Sequence, residues 1–373
     1  MPQPNRVITD VEAFHSFLNE IRKSGRLVRV VSSFDVESIT AGGVLFKALN
    51  SMELDAEFLP DYISLSADIA ARVIGINILN TDCSECLIFQ ASSTNQTSLL
   101  KRNYVVRYTS LLPGITNLLN EFVPISKEIK VLVASAVCAK YIPRLKELNP
   151  SDHEKEFLSK LGSEGLLESV DAPLVPYFTS PTYTADMGLD PYITLTAAKG
   201  SLSETLTAVA AVYKIPQDRL KLKTHLIKFS WFVRDLTTLA YFMTWLLDVR
   251  GYEGYLSSMI SPGHLRKCYL EFIRNIKYMK SCLEPVLSEG VEASKVKYVV
   301  IKGDPARLSA TVIGKVLWSF NLIDPSKTPV IIEYSGKHYI PLSYLTQNTR
   351  RASAPKYVVQ GGYLIVPNAS EVL

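Results

Sequence analysis

Ser33, Asp35 and Glu37 alternate through Ser33-Phe34-Asp35-Val36-Glu37-Ser38, where the apolar run Leu27-Val28-Arg29-Val30-Val31 gives way to a helical stretch from Ile39 to Leu49. Two carboxylates and a hydroxyl at this strand-to-helix junction look like a metal site that has lost its metal. The same carboxylates can cap the helix and complement its dipole, and that reading outweighs metal binding. Nitrogen donors do not complete a set, because His15, His153, His225, His264 and His338 are isolated from one another in sequence. Of the five cysteines only Cys83 and Cys86 form a CxxC, with no second CxxC or paired histidine to close a tetrahedral zinc site. The cysteines read as ordinary thiols, ahead of a local disulfide or a redox role.

The elements that would position these residues alternate between strand and helix over the first 200 residues. Asp10 can cap a helix carrying Val11, Phe14, Phe17, Leu18 and Ile21 at three- and four-residue steps and ending near Gly25. Strand candidates follow at Leu27 to Val31, Ala56 to Leu59, Val73 to Leu79, Cys86 to Gln90 and Tyr104 to Tyr108. This is an α/β pattern with a parallel sheet, whose ligands belong at the carboxyl ends of the strands, where the Asp35 loop falls. From about Asp152 to Gly200 prolines and glycines predict long loops. The tyrosines there suggest base stacking, but no Arg or Lys lies between Lys160 and Lys199 to make a strand-binding groove.

Residues 201 to 290 read as helical, with starts at Ser201 or Ser203, at Gln217 or Asp218 running through to Leu247, and at Ser261-Pro262. The aromatic residues Trp231, Phe232, Tyr241, Phe242 and Trp245 read as core. The last portion predicts a compact α/β unit. A strand from Val296 to Ile301 precedes a helix carrying Leu308, Val312, Ile313, Val316, Leu317 and Phe320, and two hairpins turn at Ser335-Gly336 and Gly361-Gly362. The domains expected are 1–200, 201–290 and 291–373.

At 373 residues, 47% hydrophobic and 20% charged, the chain can bury a large core. Its most lipid-like segment, Leu236 to Leu247, is 12 uncharged residues long, below the ~18 needed to span a bilayer, so a cytoplasmic protein with no membrane partner is expected. The net charge of +4 does not argue for nucleic-acid binding. From Lys295 to Leu373 ten Lys or Arg face four Asp or Glu, and Arg219, Lys221, Lys223 and Lys228 form another cluster. Such charge can attract phosphates or an acidic protein, although a solvated face is the plainer account.

In position, the Ser33-to-Glu37 loop resembles the first motif of the DHH phosphoesterase superfamily, which includes the RecJ nucleases. There a His-x-Asp-x-Asp pattern holds two divalent ions, and Ser33, Asp35 and Glu37 occupy its places. A hydroxyl cannot replace the imidazole nitrogen. The resemblance places the second motif's metal-binding Asp at Gln90, or alternatively at Asp82. It places the Asp-His-His triplet at the end of Tyr104-Val105-Val106-Arg107-Tyr108-Thr109, where Arg107 would repel a cation if turned inward. Two ions about 3.5 to 4 Å apart would be under-ligated. Ser33, Asp35, Glu37, Asp82, Gln90, Arg107 and Tyr108 are therefore expected as a vestigial site, with no catalytic residue, metal or cofactor. The C-terminal unit is similar to the DHH-associated domain, whose Gly-Gly-Gly-His signature has its nearest match in Gln360-Gly361-Gly362-Tyr363. A simple hairpin explains both of those glycines.

A DHH scaffold without its ligands resembles the archaeal RecJ-like counterparts of the cell-division-cycle subunit of the CMG replicative helicase. The resemblance implies a non-catalytic replication protein, cytoplasmic and nucleoid-associated, that binds GINS, stimulates MCM and contacts single-stranded DNA. Two alternatives stand beside it. One is an active manganese-dependent single-strand exonuclease or nucleotide phosphoesterase, and the other is a nucleotide-binding protein that does not hydrolyse its ligand.

Overall fold

The computed structural model describes residues 8–61, 72–78, 86–100, 103–141, 150–173, 207, 221–289, 297–319, 322–348 and 358–373. They fall into two compact units, Met1–Val137 with Ser151–Leu158, and Cys138–Pro150 with Ser159–Leu373.

The first unit opens with helix α1 (Asp10–Ser24). Thr9, one residue earlier than expected, is its N-cap. The Thr9 hydroxyl accepts from the Glu12 N–H while the Glu12 carboxylate accepts from the Thr9 N–H, closing a capping box, and Gly25 ends the helix at φ 59°. Then come β1 (Val28–Ser32), α2 (Val36–Ser51), β2 (Ala56–Pro60), β3 (Arg72–Ile76), β4 (Leu87–Ala91), β5 (Gln96–Leu100), β6 (Asn103–Tyr108), α3 (Leu111–Asn120), α4 (Lys127–Ala139) and α5 (Asp152–Ser163), the unit boundaries falling within α4 and α5. The sheet order is β2-β1-β3-β4-β6-β5. Every pair is parallel except β5 with β6. Val30, Ile74, Phe89 and Val106 on one face of the sheet have no exposure, and Val31, Ile88 and Val105 on the other are also buried, as expected of strands covered on both faces. Helix α2 packs on β1, β2 and β3 and against α3.

In the second unit, β7 (Leu167–Pro173) pairs antiparallel with β8 (Lys221–Ile227), and α6 (Leu236–Ile260) and α7 (Pro262–Glu289) pack on each other. Then follow β9 (Val299–Lys302), α8 (Ala310–Ser319), β10 (Val330–Tyr334), β11 (Lys337–Pro341), α9 (Leu342–Asn348), β12 (Val358–Gln360) and β13 (Tyr363–Val366), in a sheet of order β12-β13-β11-β10-β9.

Several expectations change. Residues 152–163 form α5 and 167–173 form β7, where loops were expected; residues 174–200 lie outside the described residues. The helix expected from Gln217 or Asp218 to Leu247 is a strand over Lys221–Ile227, followed by a helix that begins at Leu236. Leu222, Leu226 and Phe229 fit a helical step, but β7 supplies a ladder partner for every residue of β8, and Asp235 is a strong cap. The Asp235 carboxylate accepts from both the N–H and the hydroxyl of Thr238, at 2.8 and 2.7 Å. Ser201 and Ser203 lie outside the described residues. The helix from Pro262 is present as expected. Aromatic packing holds α6 to α7: Phe242 and Trp245 meet Phe272 at ring centroids 5.7 and 5.6 Å apart.

Candidate functional site

The carboxyl ends of β1, β2 and β3 converge on the start of α2. The Ser33 N–H donates to the Ile76 carbonyl at 3.1 Å and the Asp61 N–H to the Ser32 carbonyl at 2.8 Å, so backbone bonds splice the three strand ends together. Asp35 is the N-cap of α2, with extended dihedrals (φ −138°, ψ 161°) and its carboxylate accepting from the Ser38 N–H at 2.9 Å. Here the capping reading of the sequence holds. Ser33 has 9% exposure, and one carboxylate oxygen of Glu37 and one of Asp61 are buried.

Asn77, at φ 51°, stands at the centre of this edge. Its amide donates to the Ser38 hydroxyl at 3.2 Å, and its side-chain oxygen accepts from the Ala91 N–H at 2.9 Å, tying the ends of β3 and β4 to α2. Asparagine tolerates the left-handed region better than most residues. Asp61 and Asn77 are the two polar residues that sequence reasoning missed. Asp61 had a readable signal, since it stands two residues after the Ala56-to-Leu59 strand expected from the sequence. Asn77 had none, because its position depends on partners in β4 and α2.

The remaining expected residues do not join this group. Gln90 sits on β4 opposite Arg107 of β6. The Arg107 guanidinium turns to β5, where it donates to the Ser98 hydroxyl at 3.5 Å. The Tyr108 hydroxyl donates to the Asp10 carboxylate at 2.7 Å, and burial, then that bond, raises its pKa far above the ordinary phenol value. Its ring stacks with Phe89, with centroids 6.3 Å apart. Tyr108 thus serves the junction of β6 with α1. Asp82 lies outside the described residues. Among the described residues no three His, Cys, Asp or Glu side chains come together as metal ligands do. Cys86 departs from the expectation of ordinary thiols: it is disulfide-bonded at the buried start of β4, while Cys138, Cys268 and Cys282 are not in disulfides. The Cys83 half of this CxxC lies outside the described residues.

The second unit contains a more strongly built polar group. Helix α6 breaks at Gly251 (φ 65°, ψ −170°), and just before the break Asp248 is 1% exposed. Its carboxylate accepts from the Ser309 hydroxyl at 2.7 Å, from the Thr311 N–H and hydroxyl at 3.0 Å each, and from the Tyr363 hydroxyl at 3.4 Å. Burial pushes this carboxyl up to about 6 against those donors, all of which favour the ion. Lys315 follows one turn of α8 after Thr311, and its ammonium donates to the Ala139 carbonyl at 2.6 Å. Burial lowers it to about 8, with the Asp248 charge acting in the opposite direction.

The Gly361-Gly362 turn docks on the same break. The Gly362 N–H donates to the Asp248 carbonyl at 2.7 Å. A Cβ on Gly362 would lie 2.5 Å from the Leu247 carbonyl oxygen, and one on Gly361 2.8 Å from that of Val249. Only Gly361 has positive φ. A simple hairpin therefore does not account for both glycines; Gly362 is there because two backbones meet.

No family model matches the sequence, and no curated protein matches it. Solved structures do. CDC45 from Entamoeba histolytica aligns over 95% of this chain and 95% of its own at 12% identity and a TM-score of 0.58. RecJ from Thermus thermophilus in complex with Mn2+ aligns over 89% of this chain and 47% of its own, at 13% identity and a TM-score of 0.47. An exonuclease RecJ bound to manganese aligns over 90% and 82%, at 14% and 0.39. The two RecJ scores are too low to carry an argument. The CDC45 likeness runs nearly end to end in both chains, and at 12% identity it speaks for architecture alone. The chain has the mixed α/β fold, built on a parallel-sheet core, that is seen in CDC45.

Proposed function

We propose that this chain is a non-catalytic, RecJ-like DNA replication protein of archaeal type, which binds GINS and stimulates MCM as a subunit of a CMG-type helicase. Its place is nucleoid-associated, and single-stranded DNA is a further candidate ligand. The observation that carries this reading is a fold shared with CDC45 over 95% of both chains, combined with a strand-end site whose residue types suit structure better than metal. Ser33 stands where a histidine would be needed, Asp35 is engaged as a helix cap, and Arg107 and Tyr108 are directed to β5 and α1. The same reading divides the chain into a DHH-like domain over 1–200, a helical connector over 201–290 and a DHH-associated-like domain over 291–373.

The test is recovery of the tagged protein from its native cells, with mass spectrometry of what accompanies it and a manganese-dependent exonuclease assay on the pure chain. Recovery of GINS and MCM, with no mononucleotide release, is the expected result. Degradation of single-stranded DNA without those partners overturns it in favour of an active phosphoesterase.

A further inference from the structure

Helix α7 carries a charge pattern that the proposed role does not use. Arg266, Lys267, Leu270, Arg274 and Lys277 are all exposed. At 100° per residue they fall within a stripe about 100° wide, and from Arg266 to Lys277 the stripe runs about 16 Å along the axis. The opposite face of α7, with Leu265, Tyr269, Phe272, Ile276 and Met279, is buried. None of the four cations has an ion-pair partner among the described residues. Three nearby carboxylates are engaged elsewhere: Glu271 takes the Arg250 guanidinium, Glu284 takes Lys280 at 3.5 Å, and Asp304, beside Tyr278, accepts from the Ala306 N–H at 2.9 Å.

The positive surface continues off the helix. Arg307, exposed in the loop after β9, lies 4.0 Å over the Tyr278 ring and donates from Nε to the Asn275 side chain at 2.9 Å. Both contacts are to α7, so Arg307 is held beside the stripe instead of extending freely. In the middle of the cations stands Leu270, with 48% exposure.

We propose that this face of α7, with Arg307 at its side, docks an acidic protein segment that presents an apolar residue to Leu270. Unpaired cations of one sign attract an anionic partner and set its orientation. The choice of protein over nucleic acid rests on what lies between the cations. Single strands are held by aromatic platforms alternating with charge, whereas the stripe offers an aliphatic side chain, and its neighbouring Tyr278 ring is covered by Arg307. An apolar centre with a charged rim is the anatomy of a protein interface. This inference does not depend on the replication reading, since it uses only charge and exposure on α7.

The experiment measures binding of the full chain to a fluorescent helical peptide of about three heptads, with leucines along one face flanked by glutamates. Single-stranded oligothymidylate is titrated in parallel. The variants are Leu270→Ser, Arg274→Glu and, as a control for charge alone, Lys337→Glu in the exposed β10–β11 hairpin. The expected result is peptide binding weakened roughly fivefold or more by Leu270→Ser and by Arg274→Glu, and unchanged by Lys337→Glu. Absence of binding, or equal weakening by all three variants, overturns the proposal. So does oligothymidylate binding that Arg274→Glu abolishes and Leu270→Ser leaves intact, which assigns the stripe to nucleic acid instead. All three positions are exposed, and coincident unfolding curves confirm that the variants remain folded.

Discussion

At the scale of single residues, the same side-chain chemistry gives different outcomes according to what surrounds it. Asp35 at the head of α2 has an N–H to satisfy, and it does so. Asp35→Ala should lower stability by about 1 kcal/mol, the usual worth of an N-cap, read as a shift in the urea midpoint with the slope unchanged. Asp248 has the opposite problem, four donors but only 1% exposure to solvent. Its folded pKa of about 6 lies above the ordinary 3.8, so the folded state retains the proton longer than the unfolded chain does. Stability from this group is therefore complete below the ordinary carboxylate value and is lost as pH rises through about 6. Asp248→Asn should remove this dependence, worth on the order of 3 kcal/mol, while its amide can still face the Thr311 hydroxyl and the Ser309 donor. Unfolding of wild type and variant at pH 4.5 and pH 7 checks it: the variant's relative stability should rise with pH.

At the scale of elements, turns and helix breaks show which glycines are replaceable. Gly336 and Gly361 both have positive φ, but a Cβ on Gly336 meets open space. Gly336→Ala should cost about 1 kcal/mol, the left-handed penalty for an alanine. Gly362→Ala should cost several times more, about 3 kcal/mol, because the added Cβ collides with the backbone of Leu247 and Asp248, and no rotamer relieves a backbone clash. Thermal unfolding of the two variants orders them, and equal losses would refute the close-approach account. Tertiary context also explains why β8 is a strand where the sequence predicts a helix. Lys221, Lys223 and His225 alternate with Leu222, Thr224 and Leu226, a period-two pattern, yet Leu222, Leu226 and Phe229 also fit a helical step. The sequence carries both periods, and β7, far earlier in the chain, decides between them.

At the scale of the whole molecule, the proposed non-catalytic role and the residue types at the strand ends together make a prediction about metal. A protein that holds two ions is stabilised by them, by about 2.7 kcal/mol at a hundredfold excess over the dissociation constant. For this chain, adding manganese in place of EDTA should leave the thermal midpoint unchanged. A rise of several degrees would show that unconventional ligands have rebuilt the site, whether or not the chain cleaves a substrate.

The amino-acid sequence by itself determined the α/β class, the parallel sheet, the cap at Asp35, the start of α7 at Pro262 and both C-terminal hairpins. Each of these is written in neighbours along the chain: apolar spacing, a capping side chain, a proline or a glycine. Only the tertiary structure decided the roles of Asn77, Arg107, Tyr108 and Asp248, the disulfide at Cys86, and the reason for Gly362. Asp10 is 98 residues from Tyr108 and Ser309 is 61 from Asp248. A hydrogen bond depends on distance in space, and over such separations a single chain's local pattern has no means of recording which partners will meet.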